Sequence, residues 1–382
     1  MQWAAEYLTH AVTPSGRFVY RQDRTGKRDG KQRYNILRHA GTLYALAQYY
    51  SQIPPNEFAT QALKRAGSYL RNCCIAPVPG QADLLAVWSR PELIGRPQRP
   101  LQAKLGGTGL SLAALVQLEK VLPGTSAPKN LQQLGNFLLF MQKQGGSFYS
   151  KYFPEGSGRA DQWTSLYYPG EAALGLIMLF EFDGNFRWLM AAIDGLRYLA
   201  RSRENSASPP ADHWALIATA RLFEQNPEAL QRAAPFGLPW DHPHRPNGTR
   251  QLLLKHAEAL VKGILDEQIQ EHTKSCLNGG FNLQGRLAPT ATRLEGLLAS
   301  LTFLNAGSLR HRVQAAVKVG MHYLTAAQIS SGPTIGGFTR YRPQCNASAP
   351  RAHEIRIDYV QHALAAMFLY RHFNQIALPQ EP

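Results

Sequence analysis

Cysteine is the first shortage. Cys73, Cys74, Cys276 and Cys345 are the only four in 382 residues, and no two are spaced as Cys-x-x-Cys. A zinc site or a thioredoxin-type redox site is therefore not expected. The adjacent Cys73 and Cys74 are poorly placed to bridge to each other. Cys276 and Cys345 either pair in an oxidising compartment or stay as free buried thiols. Long apolar runs are also missing. None reaches the ~18–20 residues a bilayer-spanning helix needs. The opening Met1-Gln2-Trp3-Ala4-Ala5-Glu6 has neither the basic nor the apolar stretch of a signal peptide. A leader can be removed before a sequence is written down, so cytoplasm and periplasm both stay open. No Gly-x-x-x-x-Gly-Lys phosphate loop, His-Glu-x-x-His pair or Gly-x-Ser-x-Gly elbow occurs. No cofactor and no metal are expected.

Acidic residues are outnumbered, 26 Asp and Glu against 41 Lys and Arg, for a net charge of +15. That balance favours anionic partners: nucleic acid, anionic lipid or an acidic glycan. No nucleic-acid-binding motif accompanies it, so nucleic acid is not expected. The plain alternative is a solvated basic surface, since Arg and Lys are spread along the chain. Hydrophobic residues make up 44% and charged residues 18%, a balance that allows a large core.

What the chain does have is repetition. Six segments open with polar or aromatic residues and run into Ala-, Gly- and Leu-rich helix. They are Tyr34–Leu43, Lys104–Leu110, Tyr167–Leu174, Ala211–Leu216, Pro289–Leu298 and Arg356–Leu364. Helices apolar nearly all round are buried. Between them lie six amphipathic helices, near Trp3–Val12, Glu57–Asn72, Asn130–Gln144, Asn185–Arg203, Thr249–Gln268 and Leu309–Gln328, with apolar residues at i, i+3, i+4 and i+7. No comparable set of alternating strands appears. The pattern predicts one all-α domain over 1–382, an (α/α)6 toroid with buried inner helices ringed by amphipathic outer ones. A second repeat agrees: Gly16-Arg17-Phe18, Gly145-Gly146-Ser147-Phe148, Gly279-Gly280-Phe281 and Gly336-Gly337-Phe338 each follow an outer helix. Glycine there closes the helix in the left-handed conformation. The outer-to-inner connections are mostly long and the inner-to-outer ones mostly short, apart from 224–247. Long loops collect function, so the functional face is expected at the N-terminal ends of the inner helices.

On these repeats the chain resembles the six-hairpin glycosidase-like superfamily and its (α/α)6 epimerase and lyase relatives. The resemblance spans nearly the whole chain and is architectural; no catalytic signature matches residue by residue. The Gly-Gly-Phe loops are also similar to those of terpenoid cyclase and prenyltransferase toroids. Neither the Asp-x-Asp-Asp motif nor an Asp-x-Cys…His zinc set is present, which counts against that second group.

The starts of the inner helices supply the candidates. Glu171, Asp212 and Asp358 are the carboxyl groups for acid, base or nucleophile work, since glycoside cleavage needs one protonated and one ionised carboxyl. Asp212 as an N-cap and Asp358 as an ion pair with Arg356 are the local alternatives. His39, His213 and His362 titrate near neutrality and suit an epimerase, while His39 with Tyr167 or Tyr168 suits a uronate lyase in which Arg38 or Lys104 neutralises the substrate carboxylate. A core histidine bonded to a carbonyl is the alternative for each. Substrate contacts are expected from Tyr34, Asn35, Arg38, Lys104, Arg293, Glu295 and Gln361. Among aromatics, Trp88, Trp163, Trp214, Trp240, Tyr149 and Tyr152 are rim candidates, Trp163 the best of them, and Trp188 is core. Gly106-Gly107-Thr108-Gly109 is read as helix packing. Three functions remain: a glycoside hydrolase on a neutral or acidic saccharide; a sugar epimerase or uronate lyase; and a non-catalytic glycan- or protein-binding toroid of an export or assembly system.

Overall fold

The computed structural model describes residues 1–28, 30, 33–206, 208–234, 240, 248–271 and 273–377. In chain order its helices are α1 (Gln2–His10), α2 (Ile36–Tyr50), α3 (Glu57–Tyr69), α4 (Leu105–Val121), α5 (Pro128–Phe140), α6 (Tyr168–Asp183), α7 (Phe186–Ser202) and α8 (His213–Phe223). There follow α9 (Pro227–Ala233), α10 (Thr249–Asp266), α11 (Leu287–Ser300), α12 (Ser308–Thr325), α13 (Pro343–Asn346) and α14 (Ile357–Ala377). Setting aside the short α9 and α13, the six expected hairpins are all there, with ends within a few residues of the expected ones. Much of 224–247, including Asn247 of the Asn247-Gly248-Thr249 sequon, lies outside the described residues.

The chain divides into two compact units. One comprises Met1–Lys31, Ala45–Ala66 and Val261–Pro382; the other comprises Gln32–Tyr44 and Gly67–Leu260. In the second unit α4 and α6 are the apolar centre. Every residue of α4 from Leu105 to Leu118 is buried, and so is α6 from Gly170 to Leu179. The flanking α7 is amphipathic and buries one face, Trp188, Leu189, Ala192, Ile193 and Leu196. Burying a side chain of this size stabilises by about 1.5–3 kcal/mol. In the first unit α11 packs on α14 and α12, with Leu294, Leu297, Val317, Leu324, Val360 and Leu364 buried between them.

Strands do occur, in the long connections. β1 (Arg21–Gln22) pairs with β7 (Ile355–Arg356) in the first unit. In the second, β2 (Ile75–Val78), β3 (Gln81–Ser89), β4 (Gln102–Lys104), β5 (Lys151–Phe153) and β6 (Gly158–Ala160) form one antiparallel sheet in that order. The apolar run Leu84–Trp88 is too short for a helix. It turns back on β2 through Gly80 and lies against α5. Cys276 and Cys345 are free thiols, and the Cys345 Sγ donates to the Cys276 carbonyl at 2.9 Å. No described helix is long and apolar enough to cross a membrane.

The glycine-aromatic turns are one device used repeatedly. Gly16, Gly146, Gly279 and Gly336 have φ of 84, 88, 88 and 85°. Three of the turns close with a bridge from the aromatic back to the helix end, Val12 to Phe18, Gln142 to Phe148 and Gln328 to Phe338. A glutamine completes three of them. Gln142 donates to the carbonyls of Gly146 and Ala191, Gln268 to those of Gly279 and Ala316, and Gln328 to that of Gly336. The glycine also touches the next outer helix. A Cβ on Gly146 would stand 2.4 Å from the Asp194 carbonyl oxygen, and one on Gly336 would stand 1.9 Å from that of Trp3.

Gly146→Ala tests this packing against Gly124→Ala. Both glycines have positive φ, 88 and 82°, which costs a β-carbon about 1–3 kcal/mol. Only at Gly146 is there also a backbone clash, since nothing lies within 4 Å of a Cβ at Gly124. Urea unfolding followed by circular dichroism is expected to show Gly146→Ala less stable than Gly124→Ala by a further ~1–3 kcal/mol. Equal losses would mean that the turn does not bear on the neighbouring helix.

Candidate functional site

In the second unit three inner helices start close together because glycines let their backbones touch. A Cβ on Gly109 of α4 would stand 2.6 Å from the Glu171 carbonyl oxygen of α6, and one on Gly170 would stand 2.6 Å from the Ala215 N of α8. Glu171 lies in the first turn of α6. Its carboxyl occupies the space that a Cβ on Gly106 would need, 1.8 Å from Oε2. Glu171 is 4% exposed, and among the described residues Oε2 has no hydrogen-bond partner. Burial, and secondly the charge of Asp212, push its pKa up to about 8. Glu171 is therefore a protonated carboxylic acid at neutral pH.

Asp212 is wholly buried and engaged at both oxygens. As N-cap of α8 it accepts the Ala215 N–H at 3.1 Å, and it accepts from Arg203 Nη2 at 2.9 Å. Burial pushes its carboxyl up, while the guanidinium and the backbone N–H pull it back. Both the capping and ion-pair geometries are thus present at this residue. Arg203 follows the end of α7, and among the described residues its Nη1 and the His256 Nε2 are both buried without a partner. Burial and the Arg203 charge hold His256 down to about 3, so it is neutral. Neither Arg203 nor His256 stood out in the sequence; both lie on outer helices whose repeat pattern marks only their apolar faces.

The aromatics sort by depth. Trp163 is 48% exposed, while Trp88, Trp214 and Trp240 are buried on the same scale, as is Trp188. The Tyr168 ring meets Trp163 edge-on at 5.6 Å, and Tyr168 also flanks the space beside Gly106. Trp163, Tyr168 and Glu171 therefore form a line from the surface inward. Tyr167 and Trp214 bracket His213, with ring centroids 5.1 and 5.0 Å away. His39 is fully buried on α2, with its Nδ1 2.7 Å from the Tyr34 hydroxyl and its ring 5.2 Å from that of Tyr69. Asn35 accepts the Leu37 N–H, and Arg38 lies in the same first turn. Lys104 is the N-cap residue of α4.

The first unit holds the rest. His362 Nδ1 lies 2.7 Å from Glu295 Oε1, and Glu295 is 1% exposed. Burial raises the Glu295 pKa, against the pull of His362. In the tautomer in which the Nδ1–H donates to Glu295, Nε2 carries the free lone pair. The Gln361 amide, 3.2 Å from the same Nδ1, cannot donate to it in that tautomer. Asp358 is gripped by Arg356 through both oxygens, at 2.5 and 2.9 Å. Arg293 pairs with Glu267 at 2.8 Å.

No protein-family model matches the chain, and no curated protein matches it. Solved structures do match. A cellobiose 2-epimerase from Spirochaeta thermophila is 14% identical with a TM-score of 0.65, over 99% of this chain and 95% of that one. A sugar epimerase from a ruminal bacterium is 11% identical with a TM-score of 0.64, over 97% and 96%. The alpha-1,6-mannanase GH76A of Salegentibacter is 12% identical with a TM-score of 0.60, over 97% and 98%. At these identities the likeness concerns the fold: this chain has an (α/α)6 toroid architecture.

Two outcomes follow from the buried carboxyls. Replacing Asp212 by Asn leaves the Arg203 charge buried without its counter-ion, so chemical denaturation is expected to show a loss of about 3–5 kcal/mol. A loss under about 1 kcal/mol would mean the pair behaves as an exposed one. The second concerns pH. The folded pKa of Glu171 is raised, so its contribution is fully present below the unfolded value of 4.5 and is lost as pH rises to about 8. The melting temperature of Glu171→Gln, scanned over that window, is expected to fall less steeply than that of the unsubstituted protein. Parallel curves would show Glu171 ionised in the fold.

Proposed function

We propose that this protein is a carbohydrate-active enzyme that hydrolyses glycosidic bonds in a poly- or oligosaccharide, with Glu171 as the proton donor. The observation that carries this reading is the buried, protonated Glu171 carboxyl, with one oxygen lacking a partner among the described residues, beside the buried Asp212. A carboxyl with a raised pKa can protonate the leaving oxygen as the anomeric C–O bond breaks. Water then supplies a hydroxyl to the anomeric carbon, and its other proton restores the acid. Asp212 acts through its charge, which keeps the Glu171 proton in place. Trp163 and Tyr168 offer the ring faces on which sugars stack. The fold is compatible, being one that sugar epimerases and a mannanase also use. The excess of cations suggests that the saccharide includes acidic residues.

The His362–Glu295 pair favours a second reading. A histidine oriented by a buried carboxylate is the arrangement of a general base, and abstraction of a proton beside a sugar carbonyl is the first step of epimerisation or of uronate elimination.

Incubating the purified protein with neutral and acidic glycans distinguishes these. Reducing ends, unsaturated-uronate absorbance and epimer composition by NMR are read together. New reducing ends, reduced about 10²–10⁴-fold by Glu171→Gln and retained in His362→Asn, are the expected result. Epimer or unsaturated product lost in His362→Asn but retained in Glu171→Gln would transfer the chemistry to the second reading. Glycan binding with no product in any channel would leave a binding protein and remove both catalytic assignments.

A further inference from the structure

Lysines and arginines gather where α4 begins. Lys104 stands directly opposite Lys151 across the antiparallel pair of β4 and β5, so both side chains leave the same face of the sheet. Like charges so placed repel and weaken the sheet. Arg96, Arg99 and Arg38 are near enough to add to that repulsion at Lys104. Burial, reinforced by these cations, holds the Lys104 ammonium below its usual pKa. Among the described residues neither Lys104 nor Lys151 has an ion-pair partner, whereas Lys120, Lys143 and Lys255 each have one. A merely solvated basic surface would spread these charges. Here two half-buried lysines are set face to face.

A second observation points to what lies between them. Lys151 Nζ sits 4.5 Å from the centroid of the Trp163 ring, the exposed tryptophan that Tyr168 meets edge-on. An exposed aromatic face therefore adjoins the uncompensated cations, and Tyr168 connects that face to Glu171. A sugar ring stacked on Trp163 would bring a substituent of the ring within reach of Lys151. An anionic substituent there removes the repulsion that the unliganded protein carries, and is held by charge-assisted hydrogen bonds from ammonium groups.

Building on the carbohydrate reading, we propose that Lys104 and Lys151, supported by Arg96 and Arg99, bind the anionic group of an acidic sugar whose ring packs on Trp163. The chemistry is that of a carboxylate, sulfate or phosphate carried on a saccharide; a neutral glycan would leave the lysines opposed.

Calorimetric titration of the full chain tests this with three pairs of probes. They are an oligogalacturonate against its methyl ester, a sulfated oligosaccharide against its desulfated form, and a hexose phosphate against the hexose. At least one anionic probe is expected to bind roughly tenfold or more tightly than its neutral counterpart, and the favoured pair identifies the anion. The preference should shrink in high salt. It should be lost in Lys104→Gln and in Lys151→Gln and weakened in Arg99→Gln, a change on an exposed loop that leaves the sheet untouched. Without glycan, Lys151→Gln should melt at a higher temperature than the unsubstituted protein, because the repulsion is gone. Equal binding of the charged and neutral probes, unchanged in the variants, would overturn the clamp and leave the carbohydrate reading standing. No binding of any probe would overturn both. A lower melting temperature for Lys151→Gln would make that lysine structural and overturn its part in the clamp.

Discussion

Close approach of helix backbones in the second unit is the constraint on which the candidate site depends. Gly109 of α4 faces the Glu171 carbonyl, Gly175 of α6 faces the Gly109 carbonyl, and Gly170 of α6 faces the amide of Ala215. Any β-carbon at these positions would push the helices apart. The close approach of the helix starts leaves the Glu171 carboxyl, which sits in the gap left at Gly106, largely buried. Desolvation raises its pKa, so the packing of small residues and the raised pKa of Glu171 have one physical origin.

Buried charge is handled differently at neighbouring positions. Asp212 is compensated by Arg203 and by the N-terminal amides of α8, the arrangement that makes a buried carboxylate tolerable. Glu171 has no such compensation and keeps its proton. Burial raises the pKa of both carboxyls, but at Asp212 the guanidinium and the backbone amides pull against it, while at Glu171 the neighbouring charge adds to it. Lys104 and Lys151 at the start of α4 are the reverse case, cations that have no ion-pair partner among the described residues.

The scaffold around these groups is held by a turn used four times. A left-handed glycine ends an outer helix and, at Gly146 and Gly336, presses on the backbone of the next outer helix, while an aromatic residue folds inward. The glutamines that bond these turns, Gln142, Gln268 and Gln328, carry the same repeat in polar form. Their side chains tie two outer helices together in the cases of Gln142 and Gln268. Sheet-forming segments occupy the longer connections and leave this arrangement of hairpins intact.

Hydrophobic periodicity is a local property that determined the six hairpins and the burial of α4 and α6, and the repeated glycine-aromatic pairs, equally local, determined the turns. The apolar run of β3 was equally local, but its pairing with β2 and β4 was not, so the five-stranded sheet was not legible in advance. The candidate residues at the helix starts were legible as a set, because every inner helix begins with polar groups in register. Their individual states were not. Asp212 and Glu171 look alike in sequence, yet the partner that separates them, Arg203, comes from the end of another helix. The pairing of Lys104 with Lys151, 47 positions apart, and that of His362 with Glu295, likewise depend on contacts across sequence distance. Charge state is set by burial and by neighbours that only the folded chain assembles, and for that reason the tertiary structure decided which polar residue can do chemistry.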